Sequence, residues 1–314
     1  MKYNLLGNSD LKVPIITLGA LNFGSFCDEE TSINTIRAAI DNGANCIDTA
    51  PTYGGMRGNS EEITAKAIKN DRDKIIIATK FGTDPSTGRS SIQGGGTKEY
   101  IVKAVEDSLK RLETDYIDLY QMHFPDNETP IDETLEALDE LIKSGKIRYI
   151  GSSSFASWQI SEAGWTALTQ EFKQFISMQN RYSILNRDME EEIVPVCAKH
   201  NVSILPFFPL ESGLLTGKFK RNEEPPKGTR LALWRGAFVS DNKFDVIEKL
   251  EVFGKTINRN ILELSLAWVA QQKQVGSVLV GATSPEQIKQ NIDAISWEMT
   301  ESELEEVNTI VLGN

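Results

Sequence analysis

Eight short apolar runs, separated by stretches of helical periodicity, constrain the fold of this 314-residue chain more than any other feature. They cover residues 16–20, 44–48, 74–80, 116–123, 147–152, 175–179, 202–207 and 276–281. Each is rich in Ile, Val and Leu with little polar alternation, as parallel strands covered on both faces require. Repeated strand and helix units can build an open doubly wound sheet or a closed barrel, and eight in succession favour closure. The expected fold is therefore α/β, a (β/α)8 TIM barrel. Ahead of it, residues 2–6 and 12–16 read as a β-hairpin that turns at Gly7, Asn8, Ser9 and Asp10 and closes the bottom of the barrel.

Helix boundaries are written in the same pattern. Thr129 precedes Pro130 with Asp132 and Glu133 in the first turn, Ser284 precedes Pro285, and Thr300 to Glu303 is a capping-box pattern. Gly43 and Gly145 stand where helices should stop. Two segments break the rhythm, 82–96 and 210–241, and both fall on the side where strands end; long ordered loops in compact domains are usually functional. With 40% hydrophobic residues and a length usual for one α/β barrel, residues 1–314 are expected to form a single domain.

The 45 acidic residues outnumber the 33 basic ones, a net charge of −12, which argues against wrapping nucleic acid or lying on an anionic membrane. No apolar run approaches the roughly 20 residues that cross a bilayer, and the start MKYNLLGNSD lacks an apolar signal core. A cytoplasmic protein with small-molecule partners is expected. Cys27, Cys46 and Cys197 fit neither a disulfide framework nor a zinc ligand set, and with two histidines no metal site is expected.

In a barrel the exit ends of the strands build the active site. Here the second run ends in Asp48, the third in Lys80, the fourth in His123, the fifth in Ser152 before Ser153 and Ser154, and the sixth in Gln179, while Tyr53 follows Asp48 by one short turn. A lone Lys or His at such a place is more often solvated or structural. Their occurrence on three successive strands suggests chemistry. A Lys80 ammonium, held charged by Asp48, would ease proton release from Tyr53 and make the tyrosine a general acid. A neutral His123 would add a second donor for developing alkoxide charge. GALNFG after the first run is no Gly-x-Gly-x-x-Gly, so a nucleotide must bind another way than in a Rossmann fold. The loop from Gly281 to Pro285 opens a helix whose free N–H groups suit phosphate, although an ordinary Ser-Pro helix start reads the same way.

The segments IDTAPTYG, IIIATKFG, DLYQMHFPD, GKIRYIGSSSF, FISMQNRYSILNRD, LPFFPLESGLLTGKF and VLVGATSPEQIKQNI, in this order and spacing, resemble the aldo-keto reductases over essentially the whole chain, and within them the general-stress and potassium-channel-β-like branch. The resemblance implies a barrel that binds NAD(P)H in extended form, with Asp48, Tyr53, Lys80 and His123 in the four catalytic positions. It places Ser153 and Gln179 on the nicotinamide carboxamide, with Ser154 where Asn is frequent, and Phe207 where a tyrosine commonly stacks on the nicotinamide. Pro209, Leu210, Ser212 and Lys218 would lie along the pyrophosphate, and Gly281, Thr283, Ser284, Gln287 and Asn291 around the adenosine. Gly281 and Gln287 stand where NADP-preferring relatives often carry Lys and Arg. NADP is the cofactor the resemblance favours, with NAD the alternative.

The expected function is NAD(P)H-dependent reduction of an aldehyde or ketone. The alternatives are a sugar or alcohol dehydrogenase running the reverse reaction, and a cofactor-binding regulatory protein. Phe23, Phe26, Phe124, Pro125, Trp234 and Phe238 are the expected walls of the substrate pocket, with packing anchors the equal alternative because pockets and cores share composition.

Overall fold

Burial on both faces is what turns the apolar runs into parallel strands. The computed structural model describes residues 1–55, 57–83, 92–225, 227, 229–233 and 239–313. In it, β3 (Ile16–Gly19), β4 (Cys46–Asp48), β5 (Ile76–Phe81), β6 (Ile117–Met122), β7 (Ile147–Ser153), β8 (Ser177–Arg181), β9 (Ser203–Phe207) and β10 (Val278–Gly281) are parallel, in the order β10-β3-β4-β5-β6-β7-β8-β9. The ring closes between β9 and β10 at Ile204, whose N–H donates to the Gln274 carbonyl at 2.6 Å and whose carbonyl accepts from Gly276 N–H at 2.9 Å. The fold is the expected (β/α)8 TIM barrel.

The outer ring is made of α1 (Glu29–Asp41), α2 (Asn59–Ile68), α3 (Lys98–Leu112), α4 (Ile131–Lys143), α5 (Ser157–Thr169), α6 (Ile193–Lys199), α8 (Ile261–Ala270) and α9 (Pro285–Ile295). Outside it, α7 (Asp241–Thr256) packs on α8, and α10 (Glu301–Leu312) packs on α7. Ser284 and Thr300 cap α9 and α10 as their spacing predicts, with the full capping box at Thr300 and Glu303. Thr129 does not cap α4. That helix starts one residue after Pro130, and the Thr129 hydroxyl donates instead to Asp126 at 2.6 Å, closing the loop that leaves β6.

The hairpin pairs β1 (Tyr3–Leu5) with β2 (Lys12–Pro14). Leu6 and Val13 pack against Cys46, Ala78, Leu119, Leu205 and Leu279, plugging the end of the barrel where strands begin. Gly7 is required at this contact: its φ is +51°, and a Cβ there would lie 2.4 Å from the Ile176 carbonyl oxygen.

Strand alternation then sets the site. Two residues further along each strand, the same inward face carries Asp48 above Cys46, Lys80 above Ala78 and Gln121 above Leu119. The interior thus changes from apolar to polar one layer up. Among the described residues no helix is long and apolar enough to cross a membrane, and no three His, Cys, Asp or Glu side chains converge as a metal-binding group.

Candidate active site

The polar layer is organised around one buried ion pair. Lys80 Nζ donates to Asp48 Oδ1 at 2.5 Å and to the Thr49 carbonyl at 2.9 Å, and neither side chain meets bulk water. The other carboxylate oxygen, Oδ2, accepts from Gln121 Nε2 and Gln179 Nε2, each at 2.9 Å. A buried pair is tolerable only when its remaining donors and acceptors are satisfied, and these two amides do that for Asp48. Tyr53 packs over the ammonium, with Nζ 4.8 Å from its ring centre, and meets His123 edge to face at 5.9 Å. His123 stacks on Phe124 at 4.8 Å.

Burial alone would lower the Lys80 pKa, but Asp48 and Tyr53 facing the ammonium raise it above its ordinary value. For Tyr53 burial is the largest influence and raises the hydroxyl pKa; the pull of Lys80 offsets this only in part. The sequence reading had Lys80 easing proton release. Lys80 does pull in that direction, but desolvation of the phenolate outweighs the nearby cation. Burial first and Lys80 second push His123 well below its usual value, so its ring is neutral. Its Nδ1 is buried without a partner. Orphaned buried N–H groups are rarer than orphaned acceptors, which puts the proton on Nε2.

Tyr53, His123 and Asp48 face a cavity of about 580 Å³ at the strand ends. Of the residues expected around a nucleotide, Ser153, Ser154, Gln179, Phe207, Pro209, Leu210, Ser212, Lys218, Gly281, Thr283, Gln287 and Asn291 line it. Ser284 does not, since its hydroxyl is turned to the backbone of α9 as the helix cap. Phe26 and Phe124 are on the wall. Phe23 is not, being fully buried in the core, and Pro125 is not among the lining residues. Trp234 and Phe238 lie outside the described residues.

The wall fits a dinucleotide on three counts. Asn22 Oδ1 and Ser212 Oγ are buried without partners, and both residues line the cavity. Gly281 leaves a cradle: a Cβ there would lie 2.9 Å from Arg230 Nη2 and 3.2 Å from Asn22 Nδ2. Arg230 brings a cation to the same wall.

The sequence model of the Aldo/keto reductase family matches residues 15–311. The chain belongs to the aldo/keto reductase family. Among its relatives, "Aldo-keto reductase YhdN" of Bacillus subtilis (strain 168) is 35% identical, the alignment covering 99% of this chain and 94% of that protein. "Uncharacterized oxidoreductase YrpG" of the same organism is 34% identical over 100% of this chain and 97% of that protein. The "NADH-specific methylglyoxal reductase" of Escherichia coli (strain K12) is 33% identical, with 96% of each chain covered. Family membership makes this aldo/keto reductase an oxidoreductase of a class that uses NAD(P)H.

Gln121, Asn22 and Arg230 are polar residues at the site that the sequence pattern does not single out. Gln121 was legible in principle, because it precedes His123 by two in DLYQMH and strand alternation puts it on the same face. Asn22 ends the single 3-10 turn Ala20–Asn22 and Arg230 starts a short helical stretch, both too brief for periodicity to mark an inward side chain.

Proposed function

We propose that this chain reduces an aldehyde or ketone to an alcohol with a reduced nicotinamide nucleotide, residues 1–314 acting as one catalytic barrel. The observation that carries the reading is Tyr53 seated on the buried Lys80–Asp48 pair beside a neutral His123 at the cavity wall. When bound, the reduced nicotinamide supplies the hydride. Tyr53 donates its proton to the carbonyl oxygen as negative charge grows there, and Lys80 steadies the phenolate left behind until solvent reprotonates it. His123 directs its Nε2–H at the same oxygen, and Asp48 keeps Lys80 charged and aimed. The half-buried Phe26 and the His123–Phe124 stack favour a flat, apolar carbonyl substrate.

Tyr53 and His123 have shifted in opposite directions, and this sets the pH response. A raised Tyr53 pKa keeps the acid protonated through neutrality and into mild alkali, and a depressed His123 pKa leaves the imidazole neutral below pH 6.5. The turnover number for reduction should therefore be flat from about pH 6 to 9 and fall only at higher pH. An inflection near 6.5 would show that His123 titrates in the working enzyme. At neutral pH the same proton retention keeps Tyr53 in the form that reduction uses and leaves little phenolate to act as the base in the reverse step.

Ser153, Phe207, Ser212, Lys218 and Arg230 are the residues we assign to the nicotinamide and phosphate half of the nucleotide, and Thr283, Gln287 and Asn291 to the adenosine half. At the adenosine end, the N–H and hydroxyl of Thr283 both donate to Gln287 Oε1 at 2.9 Å, and Ser284 serves the helix. The Thr283 and Ser284 donors that would meet a 2′-phosphate are thus already used, and Gly281 and Gln287 supply no cationic fork at their positions. A neutral ribose hydroxyl pair suits this end better, so NADH is the cofactor we assign, in place of the NADP favoured by resemblance. Fluorescence titration with both reduced nucleotides should give the lower Kd for NADH; tighter binding of NADPH would refute the assignment.

A further inference from the structure

We propose that Arg181, Glu211 and Lys243 are positioning residues that fasten both roots of the nucleotide-holding loop to one buried carboxylate; the inference rests on the cofactor reading above. The chain leaves β9 through a strained turn. Glu211, Ser212 and Gly213 follow one another with φ of 47°, 58° and 106°, and the first two are residues that seldom adopt that left-handed region. Such a turn persists only when its surroundings hold it.

The holding group is Glu211 itself. Ser212, whose buried hydroxyl has no partner, lines the cavity, whereas Glu211 is fully buried and is not among the lining residues. Its Oε2 accepts from Arg181 Nη2 at 2.5 Å and Lys243 Nζ at 2.8 Å; its Oε1 accepts from Ser183 Oγ at 2.9 Å and Arg181 Nε at 3.3 Å. Arg181 ends β8 and belongs to the barrel rim. Lys243 lies in the first turn of α7, 32 residues further along the chain than Glu211. One carboxylate therefore joins the rim, the start of the loop and the start of the helix into which the loop runs.

A nucleotide held at the Ser212 turn leaves as readily as that turn gives way, so the fastening of the turn decides how well it is presented. The clasp touches no reacting group and acts through Ser212 and its neighbours. Its loss should raise nucleotide Kd and KM by faster release, with a much smaller change in kcat.

The test uses the full chain, stopped-flow tryptophan fluorescence and NADH and NADPH as probes. Glu211→Gly deletes the carboxylate but adopts a φ of 47° without strain, and Lys243→Met cuts only the tie to α7. Release of the nucleotide that wild type binds more tightly should be about tenfold faster in Glu211→Gly and about threefold faster in Lys243→Met, with Lys243→Arg close to wild type. A Glu211→Gly protein with native circular dichroism and wild-type release and Kd overturns the clasp, even if its melting temperature falls. Wild-type protein that binds neither nucleotide overturns the cofactor reading and the clasp together.

Discussion

Tyr53→Phe is expected to slow reduction of a reactive aldehyde by roughly 100- to 10,000-fold while leaving nucleotide Kd within about twofold. The substitution removes one oxygen and keeps the ring that packs over Lys80 and against His123. The effect should thus fall on the chemical step alone. Steady-state turnover with a panel of aldehydes, paired with nucleotide titration of the same preparation, reads both quantities. An equal loss in turnover and in nucleotide affinity would mean that Tyr53 shapes the cavity and does not deliver the proton.

Lys80→Met should be damaging in two ways. The variant leaves Asp48 as a buried carboxylate supported only by the amides of Gln121 and Gln179, which is expected to cost about 3–5 kcal/mol of stability. It also removes the cation that steadies the Tyr53 phenolate, so turnover should fall with the stability. The double variant Lys80→Met/Asp48→Asn separates the two effects, because it removes both charges from the dry interior. Denaturant unfolding should show most of the stability recovered in the double variant, and assay should show no recovery of activity. Unchanged stability in the single variant would mean that water reaches the pair.

Much of this site was readable before any coordinates, for identifiable reasons. Parallel strands buried on both faces leave an unmistakable record of apolar runs, and polar residues that end several successive runs stand out where one alone would not. Asp48, Lys80 and His123 were therefore visible as a group, and Tyr53 followed from its distance to Asp48. The layers below and above the site obey the same alternation, which is why Gln121 could have been named. Other features depend on contacts between distant segments. Arg230 reaches the cradle at Gly281 from a short helical stretch too brief to carry a periodic signal, and the left-handed turn at Glu211 and Ser212 has no glycine at either position to announce it. Phe23 misled because an aromatic beside an active-site loop looks alike whether it faces the cavity or the core. The net shift at Tyr53 was not legible for a related reason: the pull of a charge partner can be read from sequence, whereas the degree of burial that opposes it cannot.

The family assignment and the geometry meet in one claim, that a nicotinamide hydride and a Tyr53 proton reach the same carbonyl. The most direct test is a single turnover of wild type and Tyr53→Phe with NADH deuterated at the transferable C4 position and 4-nitrobenzaldehyde, followed by mass spectrometry of the alcohol. The account predicts deuterium on the alcohol carbon of the wild-type product and almost no labelled alcohol from Tyr53→Phe in the same interval. Labelled alcohol formed by Tyr53→Phe at the wild-type rate, or alcohol formed by wild type without the label, would contradict it.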